Sequence, residues 1–202
     1  MPALLKIDLD EKIRSGARIV LDLGCGVAAH PGKIGIDRLD LPGVEIVANL
    51  NEGLGFLPDS SVDEIHSRSF FEHVTEFDLL MSEIVRVLKP GGKCFAFVPH
   101  FSNPYYYSDP THVRFFGLYT FYYYVPRERQ LKRTVPTYYS DTTIVIHKLR
   151  LKFSSPFKVV RFTRKLVTYV VNLSPGLQEW YEGSFTGIVP CYGIEIVFGP
   201  DK

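Results

Sequence analysis

V-L-D-L-G-C-G, Val20 to Gly26, is the stretch on which the reading of this chain turns. A short apolar run from Arg18 to Leu23 passes straight into Gly24-Cys25-Gly26, the pattern of a buried parallel strand entering a glycine turn. Glycines at such a turn leave backbone amides bare and admit a ligand where a side chain would block it. Outward from there, Ile34 to Asp37 and Val44 to Val47 read as two further strands, and Val62 to His66 as a fourth. Phe77, Leu80, Ile84 and Val87 or Leu88 share one stripe, which predicts a helix from about Glu76 to Lys89. Thr75, with Asp78 three residues on, is the expected cap, and Lys89 and Pro90-Gly91-Gly92 mark the end. Lys93 to Val98 follows as a fifth strand. Strand, helix, strand in this order is a right-handed parallel crossover, so the fold class is α/β.

Two acids point to a nucleotide site: Asp22 inside the first strand, and Asp37 closing the next, where a ribose diol could be gripped. A dinucleotide fingerprint places that acid about 20 residues on, with a helix between. Here only seven residues, Val27 to Lys33, separate Gly26 from the next strand, and no full helix fits. One irregular turn over Ala28, Ala29 and His30 is expected instead, ended by Pro31-Gly32. The link from Asp37 to Val44 is equally short. This clipping, with the missing third glycine, counts against a nicotinamide dehydrogenase.

Five motifs in order carry a family resemblance: V-L-D-L-G-C-G, I-G-I-D at Ile34 to Asp37, L-P-D-S-S-V-D-E-I at Leu57 to Ile65, F-E-H-V at Phe71 to Val74, and V-L-K-P-G-G at Val87 to Gly92. Over about residues 18 to 98 the chain resembles class I S-adenosylmethionine-dependent methyltransferases. The clipped G-C-G loop resembles a bacterial subgroup of them. The resemblance implies a Rossmann-like, mostly parallel sheet of about seven strands with an antiparallel C-terminal strand, shortened first two crossovers and an insertion between the last two strands. It implies S-adenosyl-L-methionine as cofactor, with the turn at Gly24, Cys25 and Gly26 passing its methionine end and Asp22 ordering that loop. Asp37 would bind the ribose hydroxyls, Asn49 with Leu50 would meet the adenine, and Ser67 would hold the methionyl group through its backbone. Asn49 stands where related chains often carry Asp, which changes the donors and acceptors offered to the base.

The second hundred residues differ in character. From Phe101 to Tyr124, 11 of 24 residues are aromatic, and S-D-P-T-H-V-R-F-F at Ser108 to Phe116 sets Asp109, His112 and Arg114 close together. The D-P-T-H-x-R-x-F string also resembles the segment after the fifth strand in the bacterial subgroup. Ligands of open α/β sheets sit beyond the carboxyl ends of the strands, so this stretch is the expected acceptor pocket. Methyl transfer is an in-line displacement in which the protein aligns the acceptor and, for a hydroxyl, removes its proton. His100 and His112 are the candidate bases, Asp109 the orienting partner, and Arg114 and Tyr107 the candidate acceptor contacts. His73 in F-E-H-V reads as a residue shaping the approach to the helix beneath the cofactor.

Charge separates the halves too. Residues 1 to 100 carry 10 basic and 15 acidic side chains, and residues 101 to 202 carry 13 and 7, so the net +1 averages −5 with +6. From Arg127 to Lys165, 11 basic residues face only Glu128 and Asp141. Such a strip suits an anionic acceptor, such as a sugar, nucleotide sugar or lipid-linked glycan, or an anionic membrane met through a basic amphipathic helix at Phe157 to Leu173. No nucleic-acid-reading motif accompanies it. Thr142 to Phe153 and Tyr192 to Phe198 complete the elements as strands.

At 202 residues, 46% hydrophobic and 22% charged, the chain suits a single domain with a real core, a cofactor half (1–100) and an acceptor half (101–202). Cys25, Cys94 and Cys191 have no metal-ligand spacing, so no metal site and a reducing compartment are expected. Asp8, Asp10 and Glu11 interrupt any signal-peptide pattern, and no run reaches a membrane span, so a cytoplasmic enzyme is expected. The function read is methyl transfer to a small-molecule or glycan-like acceptor, at oxygen rather than nitrogen. The alternatives are a catalytically silent cofactor-binding protein, or a membrane or interaction module on the same fold.

Overall fold

The computed structural model describes residues 3–27 and 30–202. The chain runs β1 (Leu4–Leu5), α1 (Leu9–Arg14), β2 (Val20–Leu23), β3 (Ile34–Asp37), β4 (Ile46–Val47), β5 (Val62–Arg68), α2 (Phe77–Val87), β6 (Leu88–Pro99), β7 (Ile144–Lys152), α3 (Lys158–Val171), α4 (Pro175–Ser184) and β8 (Gly193–Pro200). One eight-stranded sheet has the order β1-β4-β3-β2-β5-β6-β8-β7. β4, β3, β2, β5 and β6 pair in parallel, and β8 runs antiparallel to β6 on one side and to β7 on the other. β1 is a further, antiparallel edge strand beside β4 that the sequence does not announce.

Alternation along the strands sets the two faces apart. Leu21, Leu23, Ile36, Ile65, Cys94, Val98, Ile194, Ile196 and Phe198 point into the core, where Phe77, Leu80, Met81, Ile84 and Val87 of α2 meet them. Asp22, His66, Phe95 and Val197 stand in register on the opposite face. No helix is assigned between β2 and β3 or between β3 and β4 among the described residues, as the spacing requires. The turn expected over Ala28, Ala29 and His30 lies, at Ala28 and Ala29, outside the described residues.

Three helix boundaries differ from the sequence reading. α2 ends at Val87, not Lys89, because Leu88 already pairs with Val62 and the residue before Pro90 is disfavoured from helical backbone. Thr75 does not cap α2; Asn51, brought from a distant turn, accepts from the amides of Thr75 and Glu76 at 2.9 and 3.2 Å and from the Thr75 hydroxyl at 3.0 Å. Ser174-Pro175-Gly176 opens α4 rather than closing α3: the Ser174 hydroxyl accepts from the Leu177 amide and Pro175 takes the first turn. α3 stops at Asn172, whose side chain exchanges two hydrogen bonds with Leu151 of β7, at 2.9 and 2.8 Å, like one more rung of the sheet.

Candidate functional site

Two cavities open at the carboxyl ends of the parallel strands and share Ser69 and His73 in their walls. The smaller, about 510 Å³, is lined by Gly24, Asp37, Asn49 and Leu50, four of the residues expected to meet a cofactor, together with Arg38, Asn51, Phe70 and Thr75. Its geometry explains the glycine at the turn. Gly24 has φ +67°, and a Cβ there would stand 2.3 Å from the ring of Phe70, so any side chain meets both backbone strain and a clash.

The amides of the turn are not bare. Those of Gly24 and Cys25 donate to the Ile36 carbonyl at 2.8 and 3.3 Å, and that of Gly26 donates to Asp37 Oδ2 at 3.0 Å. Asp37 Oδ1 accepts from the Leu39 amide at 3.0 Å, so the carboxylate is held rigidly, each oxygen keeping lone-pair capacity for a diol. Asn49 caps the short turn Leu50–Glu52: its Oδ1 accepts from the Asn51 amide and its Nδ2 donates to Glu52. One amide hydrogen and one Oδ1 lone pair remain for an adenine edge.

Asp22 and Ser67 lie elsewhere. Both line a third cavity of about 330 Å³ on the non-core face, with His66, Phe95 and Lys148. His30 Nδ1 comes within 2.6 Å of Asp22 Oδ2, which fits a loop-ordering role for the acid. β5 runs to Arg68, two residues beyond the predicted end, so Ser69 rather than Ser67 reaches the cofactor cavity. Ser69 has φ +51°, a strained conformation for a non-glycine residue, at the junction of the two cavities. Cys25 lines neither; burial and the nearby Asp37 and Asp22 charges push its thiol up to about 11.

The larger cavity, about 670 Å³, is walled by Glu72, His73, Tyr105, Tyr106, Asp109, His112 and Arg161. That volume is in the usual range of small-molecule sites. His112 and Asp109 stand together as expected, with Nε2 3.5 Å from Asp109 Oδ2. His112 Nδ1 donates to the Tyr106 carbonyl at 2.9 Å. Glu72 is 1% exposed, and burial followed by the Asp109 charge pushes its carboxyl up to about 7.

Three expected contacts are corrected here. His100 is fully buried and lines neither cavity: its Nδ1 accepts from the Ser102 amide at 3.1 Å and its Nε2 meets Glu182 at 2.9 Å, so it pins α4 to the end of β6. Arg114 donates to the carbonyls of Val74 and Thr75 at 3.2 and 2.8 Å and lies over the Phe77 ring, which ties its segment to the start of α2. Tyr107 is exposed and donates its hydroxyl to the Phe101 carbonyl. Arg161 of α3 is the cation in the cavity wall instead, its Nε and Nη2 donating to the carbonyls of Ser155 and Pro156 at 3.1 and 3.2 Å, whereas Arg114 does not line the cavity. The sequence signals Glu72 only through F-E-H-V and Arg161 only as part of the basic helix, and nothing in it marks Ser69.

Residues 25–96 match the sequence model of a family described as a methyltransferase domain. No curated protein matches the chain. Among solved structures, a SAM-dependent methyltransferase from Archaeoglobus fulgidus is similar at 16% identity and TM-score 0.54, over 94% of this chain and 91% of that one. The Bacillus subtilis YcgJ protein is similar at 19% identity and TM-score 0.51, over 96% and 97% of the two chains. Phosphoethanolamine N-methyltransferase 2 of Haemonchus contortus, solved with S-adenosyl-L-methionine, is similar at 17% identity and TM-score 0.53, over 91% of this chain and 48% of its own. At these identities the likeness defines the fold. With the match of residues 25–96 to a methyltransferase domain, it supports an enzyme that uses S-adenosylmethionine as its cofactor. The residues fit that cofactor: a rigid acid at the second strand end, a glycine turn that no Cβ could enter, and a cavity of sufficient size beside both.

Proposed function

We propose that the enzyme transfers a methyl group from S-adenosylmethionine in the smaller cavity to an anionic small-molecule or glycan-like acceptor in the larger, at an acceptor oxygen. The observation that carries this reading is the junction: Ser69 and His73 belong to both walls, so a donor in one cavity and an acceptor in the other meet there. When bound, the cofactor supplies an electrophilic methyl carbon on a sulfonium. The cavity walls would hold the acceptor oxygen in line with that carbon, and the cluster of Glu72, His73, Asp109 and His112 would take the acceptor's proton. Arg161 supplies the charge that selects an anion. Incubation with methyl-labelled cofactor and a panel of sugar phosphates, nucleotide sugars and lipid-linked glycans tests this. Transfer to a hydroxyl is expected, and cofactor binding without transfer to any acceptor would leave only the silent reading.

One further observation favours membrane contact. Among the described residues no helix is long and apolar enough to cross a membrane. Yet α3 turns Val159, Phe162, Leu166 and Tyr169, each at least 63% exposed, to solvent on one arc, flanked by Lys158 and Lys165 and without one acid in the helix. That is the pattern of a helix lying in an anionic lipid surface, and it adjoins the acceptor cavity through Arg161. Flotation with phosphatidylglycerol vesicles is expected to carry the enzyme, and Phe162→Ser with Leu166→Ser to abolish it. Failure of the wild type to float refutes the contact.

A further inference from the structure

Glu72, His73 and His112 offer three ligand atoms within 4.8 Å of one another on the wall of the larger cavity. Hydrogen bonding decides what each presents. The Nδ1 of His112 faces the Tyr106 carbonyl at 2.9 Å, and a carbonyl only accepts, so that nitrogen carries the proton. The Nδ1 of His73 lies 2.9 Å from the Thr111 hydroxyl, whose own hydrogen goes to Asp109 Oδ1 at 2.6 Å, and 3.3 Å from the Thr111 carbonyl. It too must donate. In its neutral form each imidazole therefore keeps Nε2 as a lone pair, held in orientation by an outer partner, as metal-ligating histidines are. Their rings approach with centroids 4.9 Å apart.

The third group is the carboxyl of Glu72, 1% exposed, whose Oε2 receives no hydrogen bond. A buried carboxyl oxygen without a donor is costly, and two imidazole lone pairs beside it supply none. The Glu72 backbone is fixed independently, since its carbonyl accepts from the Val113 amide at 2.9 Å. With Glu72 ionised, three acceptors thus face one another, and a single proton shared among them would join only two. What satisfies all three at once is a cation.

We propose that Glu72, His73 and His112 bind a divalent transition-metal ion. Two imidazoles and one carboxylate suit zinc, manganese or iron(II), and three protein ligands leave coordination positions open to the cavity, as catalytic metal sites do. Ligand atoms about 2.1 Å from a shared ion stand about 3.4 Å apart at tetrahedral angles, so a set spread to 4.8 Å closes by up to about 1.4 Å on binding. Asp109, its Oδ2 3.5 Å from His112 Nε2, stands next to these positions and is the group of the cluster left to take an acceptor's proton once the ion holds the other three. An acceptor oxygen would take one of them; that role rests on the acceptor reading above, whereas the site itself does not.

The experiment is titration calorimetry of the untagged, chelator-treated chain with zinc and with manganese, without cofactor or acceptor. One ion per chain is expected at micromolar affinity or better for at least one metal. Glu72→Gln, His73→Gln and His112→Gln should each weaken binding at least tenfold, and His147→Gln, at an exposed histidine outside the site, should leave it unchanged. Circular dichroism identifies any variant that does not fold, and the remaining variants decide. Cobalt(II) substitution gives a second readout, with d–d absorption bands expected in the wild type and lost in His112→Gln. No stoichiometric binding by the folded wild type, or equal binding by all three ligand variants, overturns the site. Metal binding without methyl transfer would instead count against the acceptor reading and leave the site standing.

Discussion

Replacing Asn51 by alanine should destabilise the protein by about 2 kcal/mol, although the residue lies in no α-helix or strand, only in the short 3-10 turn Leu50–Glu52. Its Oδ1 accepts three hydrogen bonds at the start of α2: from the amide and hydroxyl of Thr75 and from the amide of Glu76. Losing a side-chain cap costs ~0.5–2 kcal/mol, and each further hydrogen bond contributes ~1 kcal/mol net. The three donors lie near the surface, where water replaces part of the loss, which brings the total to about 2 kcal/mol. For a chain of this size that corresponds to a fall of roughly 4–8 °C in Tm. The assay is thermal unfolding followed by circular dichroism, without cofactor, because Asn51 and Thr75 both line the cofactor cavity and a bound ligand would mask the change. Thr75→Ala removes one hydroxyl donor only and should cost about 0.5–1 kcal/mol. Asn51→Asp keeps the acceptor and adds a charge suited to a helix N-terminus, so it should lie close to the wild type. If Thr75→Ala costs as much as Asn51→Ala, α2 is capped locally and the tertiary cap is wrong.

Asp37→Ala should weaken both S-adenosylmethionine and its demethylated product by roughly 10- to 100-fold in calorimetry, the loss expected of charge-assisted hydrogen bonds to a diol; unchanged affinity would remove Asp37 from the ribose. Gly24→Ala should lower both stability and cofactor affinity because of its φ of +67° and the Phe70 ring 2.3 Å from the new Cβ, and Phe70→Leu should recover part of each loss. Burial raises the Glu72 carboxyl from 4.5 to about 7 in the native state, so its ionisation works against folding. In metal-free protein Glu72→Gln should therefore gain on the wild type as pH rises from about 4.5 to 7 and then level off, by at most about 3 kcal/mol; a gap independent of pH refutes the shift. Burial likewise raises all three thiols, so Cys25, Cys94 and Cys191 should react slowly with a thiol reagent at pH 8 and promptly in denaturant.

Much of the architecture is legible in short windows. Ile34–Asp37 is read to the residue, and α2 to within two residues at its far end, because a buried parallel strand and an amphipathic helix each carry their own periodicity. α4 is missed because a Ser-Pro-Gly triplet stops one helix and starts another with equal ease, and only packing chooses. The site divides in the same way. Gly24 and Asp37 sit at strand ends, where sequence order alone puts them beside a ligand. His100 and Arg114 have the right chemistry in the right segment, yet their polar groups are used within the fold, on Glu182, Val74 and Thr75.

By itself the sequence determined the order of the strands, the clipped crossovers and the acid that ends the second strand, since each depends on patterning and chain length over a few residues. Tertiary structure decided which groups face one another. His112 reaches His73 and Glu72 only because the segment after β6 folds back, held by the Val113 amide on the Glu72 carbonyl and by Thr111 on His73. No periodicity encodes such a meeting, because it rests on closing a long loop onto a buried carboxylate.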